Sequence, residues 1–150
     1  MQKKFSFLLI ALVLGIGAAA LIGCSSPTSG GGGTLEGTWT STGGDSYIIT
    51  ATTVFYDSGF GMDFGGTREK TIPDGSGAGY IIIKFTLNDW NSGQLGEYYV
   101  IHYKELSSSS IQLSSAYKTT GADSKGTLED AEDEFTTGNG YFDYYGIYTR

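Results

Sequence analysis

From position 35 onward, short runs rich in Tyr, Ile, Val, Thr and Phe alternate with clusters of Gly, Asp, Asn and Ser. Turn signals stand at 43–45, 57–59, 65–66, 73–75, 91–93, 107–110 and 137–140. Closely spaced strands of this kind predict an all-β sandwich or barrel. The apolar runs place eight strands, at 38–41, 46–50, 53–57, 68–72, 80–87, 97–105, 110–117 and 141–149. Segment 58–66 reads as a loop or a bulged ninth strand.

Side chains alternate between the two faces of a strand, so parity assigns an inward set. Ile81, Ile83, Phe85 and Leu87 share one face, with Lys84 and Thr86 opposite. Tyr99, Ile101 and Tyr103 share another, with His102 and Lys104 opposite and turned to solvent. Ile111 and Leu113 continue the inward set, and Gln112 and Ser114 point outward. The last run is aromatic on both faces, so parity makes no choice there.

One segment carries a helical period instead. Leu128, Ala131 and Phe135 form an apolar stripe at i, i+3 and i+7. Thr127 and Asp130 have the spacing of a capping box, with Asp in place of Glu. Acids crowd the N-terminal part, where the helix dipole favours them. So short a helix needs docking to persist, and it is expected to cover one end of the sheet before the last strand.

The first 23 residues have another pattern. Gln2, Lys3 and Lys4 make a short basic start, and 5–23 is uncharged and mostly Leu, Ile, Val, Ala and Gly. That is the layout of an export signal. As a helix its 19 residues would reach about 28 Å, so an uncleaved membrane anchor is the alternative. The end of the apolar run favours cleavage. Leu21, Ile22, Gly23 and Cys24 resemble the lipobox of bacterial lipoproteins, in which the Cys becomes the lipidated first residue. The resemblance implies a signal peptide over 1–23, an acylated Cys24 holding the membrane, a Gly/Ser tether over 24–34 and a folded domain over 35–150. The Gly/Ser run 25–33 spans about 16 Å root-mean-square, enough to lift a domain off a surface without orienting it. Ser25, rather than Asp, after the Cys resembles an outer-membrane sorting signal. The expected location is the outer membrane or cell surface rather than the inner membrane.

Composition narrows the function. The chain has 150 residues, enough for one domain. It carries one Cys and one His, which excludes an internal disulfide and a Cys/His zinc site. Nine basic residues stand against sixteen acidic ones, a net charge of −7. Removal of Lys3 and Lys4 makes the mature chain more acidic still. No nucleic acid and no anionic lipid surface is expected as a partner of the folded domain.

Gly37, Thr38 and Trp39 open the first strand and resemble the first motif of lipocalins and their calycin relatives. The resemblance implies that Gly37 and Trp39 close the barrel base and that Arg150, after the last strand, packs over Trp39 by a cation–π contact. Further blocks at 44–47, 98–106, 127–131 and 145–150 resemble spirochaetal lipocalin-like lipoproteins of uncharacterised role. The implied fold is an antiparallel up-and-down barrel of about eight strands with one short helix before the last. The departures are the short β segments and the lack of a disulfide. The family likeness implies a fold and a location, and no reaction.

Candidate chemistry is sparse. No Gly-x-Ser-x-Gly elbow occurs, and a Ser–His pair would have to use His102. The glycines at 59, 61 and 65 lack the spacing and the helix of a dinucleotide fingerprint. Acids at 129, 130 and 132–134 spread around a helix and read as a solvated face rather than a metal loop. Asp143, among aromatic residues, is the one candidate acid for general acid–base work, with water contact as the plainer reading. The expectation is a non-catalytic protein without a metal or cofactor. Tyr99, Tyr103 and Tyr117 either fill the core or line a cavity for a small apolar ligand. Trp90 sits in the turn between the two strongest strands, either folded back or exposed as an anchor for a protein partner. Loops 58–66 and 88–93 would carry that second function.

Overall fold

The computed structural model describes residues 33–150, so the signal segment and Cys24 lie outside the described residues. Eight strands form a closed barrel in chain order, each antiparallel to the next. They are β1 (Gly37–Ser41), β2 (Ser46–Ile49), β3 (Thr53–Asp57), β4 (Phe64–Pro73), β5 (Gly79–Asn88), β6 (Tyr98–Lys104), β7 (Ser110–Ser115) and β8 (Gly146–Thr149). Pairing of Thr40 with Thr149 and of Ser41 with Tyr148 closes the ring. Helix α1 (Leu128–Glu134) precedes the last strand. This is the up-and-down barrel that the resemblance implied, and one of the two all-β outcomes that the strand spacing allowed.

The core follows parity over most of its extent. Ile81, Ile83, Ile101, Ile111 and Leu113 are buried inside. Parity fails for Leu87, which is half-exposed, while Asn88 is buried. The cause is a β-bulge. Gly65 pairs with Leu87, but Gly66 pairs with Phe85, so Thr86 is the extra residue and the faces swap beyond it. A Cβ on Gly66 would lie 2.0 Å from the Lys84 carbonyl oxygen, so only glycine allows this close approach.

Three other expectations change. Phe64, Gly65 and Gly66 belong to β4, so 58–66 is partly strand and supplies no ninth one. The last strand is only four residues long, and 141–145 is irregular. Helix α1 lies on the outer face of β5 and β6 rather than over an end of the sheet. Thr127 caps it, accepting from the Asp130 amide at 3.2 Å. Its Ala131 and the following Phe135 are buried, and Phe135, Ile82 and Val100 line one outer-face crevice. Lys70 ties Glu132 to β4 at 2.7 Å, and Lys125 approaches Glu134 at 3.3 Å.

The segment after α1 continues this strap. Tyr141 and Phe142 are buried and pack with Phe135, Tyr80 and His102. His102 therefore does not face water: it points outward as parity requires, yet it is 4% exposed beneath the strap. Ser114, its neighbour on β7, is also buried.

The two ends of the barrel differ. Loops β2–β3, β4–β5 and β6–β7 gather at one end with Leu35 and Arg150. The loops between β1 and β2, β3 and β4, and β5 and β6, with the long β7–β8 connection, gather at the other. Residue 33 thus leaves the barrel at the first end, beside Ser107.

Candidate functional site

The first end is a closed base. Trp39 is fully buried, and its Nε1 donates to the Leu35 carbonyl at 2.9 Å. The Arg150 guanidinium lies 4.1 Å from the Trp39 ring centroid. It donates to the Glu36 carbonyl at 2.9 Å, the Ser108 carbonyl at 2.8 Å and the Thr34 carbonyl at 3.2 Å. Gly37 has a φ of 149°, and a Cβ there would sit 3.0 Å from Arg150 Nη1. Glycine is therefore required where the guanidinium crosses the first strand. Arg68 adds a 2.8 Å ion pair to Glu36. The Arg68 hydrogen bond holds the Glu36 carboxyl below its usual pKa.

Tyr103 also sits at the base end. It pairs with Gly79, where a Cβ would come within 2.7 Å of the tyrosine oxygen. Its ring fills the core and does not line the cavity at the opposite end, which removes it from the candidate ligand residues. Strand direction decides this, because Tyr99 lies four residues nearer that end.

The second end is open. A cavity of about 720 Å³ enters the barrel there. That volume lies within the range of small-molecule sites. Its walls are aromatic: Tyr56 stacks on Phe64 at 5.0 Å, Phe85 stacks on Tyr99 at 5.1 Å, and Tyr148 meets Tyr47 edge-on at 5.2 Å. Trp90 and Tyr117 stand at the mouth, 54% and 56% exposed, and both line the cavity. Trp90 leans its edge over Phe64 and Tyr56, so it is partly folded back and partly open. Tyr144 faces Tyr117 across 6.2 Å.

The deep hydroxyls are already bonded. Tyr99 donates to the Ala116 carbonyl at 2.7 Å, Tyr47 bonds Ser115 Oγ at 2.6 Å, and Tyr148 donates to Asp45 Oδ2 at 2.6 Å. Burial raises the pKa of all three tyrosines, so they stay neutral. Burial also opposes ionisation of Asp45, but hydrogen bonds from Ser41 and Tyr148 outweigh it and hold the carboxyl below its usual pKa. The other polar side chains at the mouth are those of Asn88, Asn91, Gln94 and Asp123. Asn88 is fixed by a 2.9 Å bond from its Nδ2 to Gln94 Oε1.

Among the described residues, no Lys, Arg or His lines this cavity. Every Lys and Arg among the described residues is engaged elsewhere. Arg68 and Arg150 hold the base, and Lys70 and Lys125 pair with acids of α1. Lys84, Lys104 and Lys118 lie over the rings of Tyr98, Tyr145 and Tyr141.

The candidate catalytic residues are not brought together. His102 Nδ1 bonds the Tyr145 hydroxyl at 2.7 Å, and its buried Nε2 has no hydrogen-bond partner, with Asp74 at 3.5 Å. Burial lowers the His102 pKa against the pull of Asp74. It lies under the strap, away from the cavity, and Asp143 is exposed. Among the described residues no group of three or more His, Cys, Asp or Glu is arranged to hold a metal ion.

Sequence reasoning named Tyr99 and Tyr117 as cavity candidates and Trp90 as an interface anchor, and did not name Tyr47, Tyr56, Phe64, Phe85 and Tyr148 as lining residues. A signal was available: Tyr47 and Tyr56 are inward-parity residues that pair directly across β2 and β3. No family model matches the chain, and no curated protein or solved structure matches it either.

Proposed function

We propose that the protein is a non-catalytic, lipid-anchored lipoprotein of the bacterial envelope whose barrel carries a small apolar ligand. The observation that carries this reading is the open, aromatic-walled cavity of about 720 Å³ at one end of a barrel whose other end is closed. A core that merely filled the barrel would leave no such space. The unclustered His102 and Asp143 support a binding role over a chemical one.

Geometry agrees with an anchor at Cys24. Residue 33 leaves the barrel at the closed base, so an anchor at Cys24 would attach through a flexible tether at the end opposite the mouth. The lipobox-like end of the apolar segment and the adjoining Ser25 support export to the outer membrane or cell surface.

A second reading rests on the loop at 58–63. Phe60 is 88% exposed and Met62 is half-exposed beside the mouth. Such residues suit a surface that binds a protein partner.

Native mass spectrometry of the full chain, purified from cells that express it, separates the two. A stoichiometric small-molecule adduct lost from a Tyr99→Trp variant, which fills the cavity, supports the carrier. An adduct-free mass across a broad lipid and metabolite panel overturns it and favours the protein-binding surface.

A further inference from the structure

The carrier reading leaves the chemistry of the ligand open, and the charge layout of the mouth narrows it. A carboxylate or phosphate entering this cavity would meet no cationic side chain. Burying an anion without a partner costs several kcal/mol. The one charged side chain in the described lining is negative. Asp123 lines the entrance, and the Asp45 carboxylate stands directly behind the Tyr148 hydroxyl. The walls are mostly aromatic, and the faces of aromatic rings attract cations and repel anions. Asn88 is held by Gln94, with its Oδ1 taken by the amides of Trp90 and Asn91. The polar rim is thus ordered before a ligand arrives.

Resting on the carrier reading, we propose that the mouth takes an apolar amine, a protonated ammonium on a flat or short apolar body, and discriminates against carboxylates of the same size. The apolar body stacks between the Phe64/Tyr56 and Phe85/Tyr99 pairs. The ammonium stays near the entrance, between Trp90 and Asp123, where it keeps part of its hydration.

Three indoles with a two-carbon arm test this. Tryptamine ends in an ammonium, tryptophol in a hydroxyl and indole-3-propionate in a carboxylate. The full chain is titrated with each by calorimetry at pH 7. Tryptamine is expected to bind about tenfold tighter than tryptophol, and the propionate about tenfold weaker than tryptophol. Asp123→Asn, at an exposed position, is expected to shrink the tryptamine advantage by about threefold and leave tryptophol unchanged. Equal affinity for amine and alcohol, or a propionate that binds as tightly as either, overturns the amine preference while the carrier reading stands. Failure of all three indoles overturns the amine proposal. The native-mass adduct then decides the carrier reading by itself.

Discussion

The two ends of the barrel use the same alternating strands and reach opposite outcomes. At the base, the inward position of β1 is a tryptophan, and Arg150 lies across its ring with three carbonyls fixing the guanidinium. At the mouth, inward positions are tyrosines and phenylalanines whose rings stand against the wall and leave a gap. The base is closed by a bulky side chain with a charged cap. The mouth has rings of comparable size but nothing across them. Closure therefore depends on what crosses the barrel axis rather than on how apolar the end is.

The comparison can be broken hardest at the base. Trp39→Ala removes a fully buried indole and its hydrogen bond, and should destabilise the fold by about 3–5 kcal/mol in urea unfolding. A loss under about 1 kcal/mol would mean that the base is not the structural end. Arg150→Ala should cost less, about 1 kcal/mol, because the guanidinium is exposed to solvent on one side. Arg150→Lys should recover only part of this, since lysine keeps the charge but not the planar fork.

The outer strap gives a smaller effect with a pH signature. The folded pKa of His102 lies below its ordinary value of 6.5, so the unfolded chain binds that proton more readily. The contribution of His102 is fully present above pH 6.5 and is lost as pH falls from there toward the folded pKa. The melting temperature should drop over that window, and His102→Leu should flatten the drop. An unchanged pH profile in that variant would assign the dependence to other groups.

The mouth should be the least sensitive. Trp90→Ala and Tyr117→Ala touch half-exposed rings and should change stability by no more than about 0.5 kcal/mol. The same variants should weaken tryptamine binding measurably. Large stability losses there, with no change in binding, would make the mouth rings structural and reverse the comparison.

Much of the barrel was legible along the chain. Strands β1, β2, β3, β5, β6 and β7 begin within a residue of the expected runs, because each carries a run of strand-forming residues. Helix α1 was legible from one apolar stripe and one cap. The base was legible at Gly37, Trp39 and Arg150 only through their resemblance to a known barrel motif, and not from the residues taken alone. Illegible parts share a cause. The bulge that turns Leu87 out and Asn88 in depends on two strands meeting at Gly65 and Gly66, which no single run reveals. Burial of His102 depends on a strap that arrives some forty residues later in the chain.

By itself, the sequence determined strand count, the antiparallel class and the helix. These follow from local periodicity and composition, which act over a few residues. Only the tertiary structure decided which tyrosines face the cavity and that Tyr103 belongs to the base. It alone left the mouth without a cation among the described residues, because each Lys and Arg of that part is drawn to an acid, a carbonyl or a ring elsewhere. Such pairings join residues far apart in the chain, and distance in space, not in sequence, sets their energy.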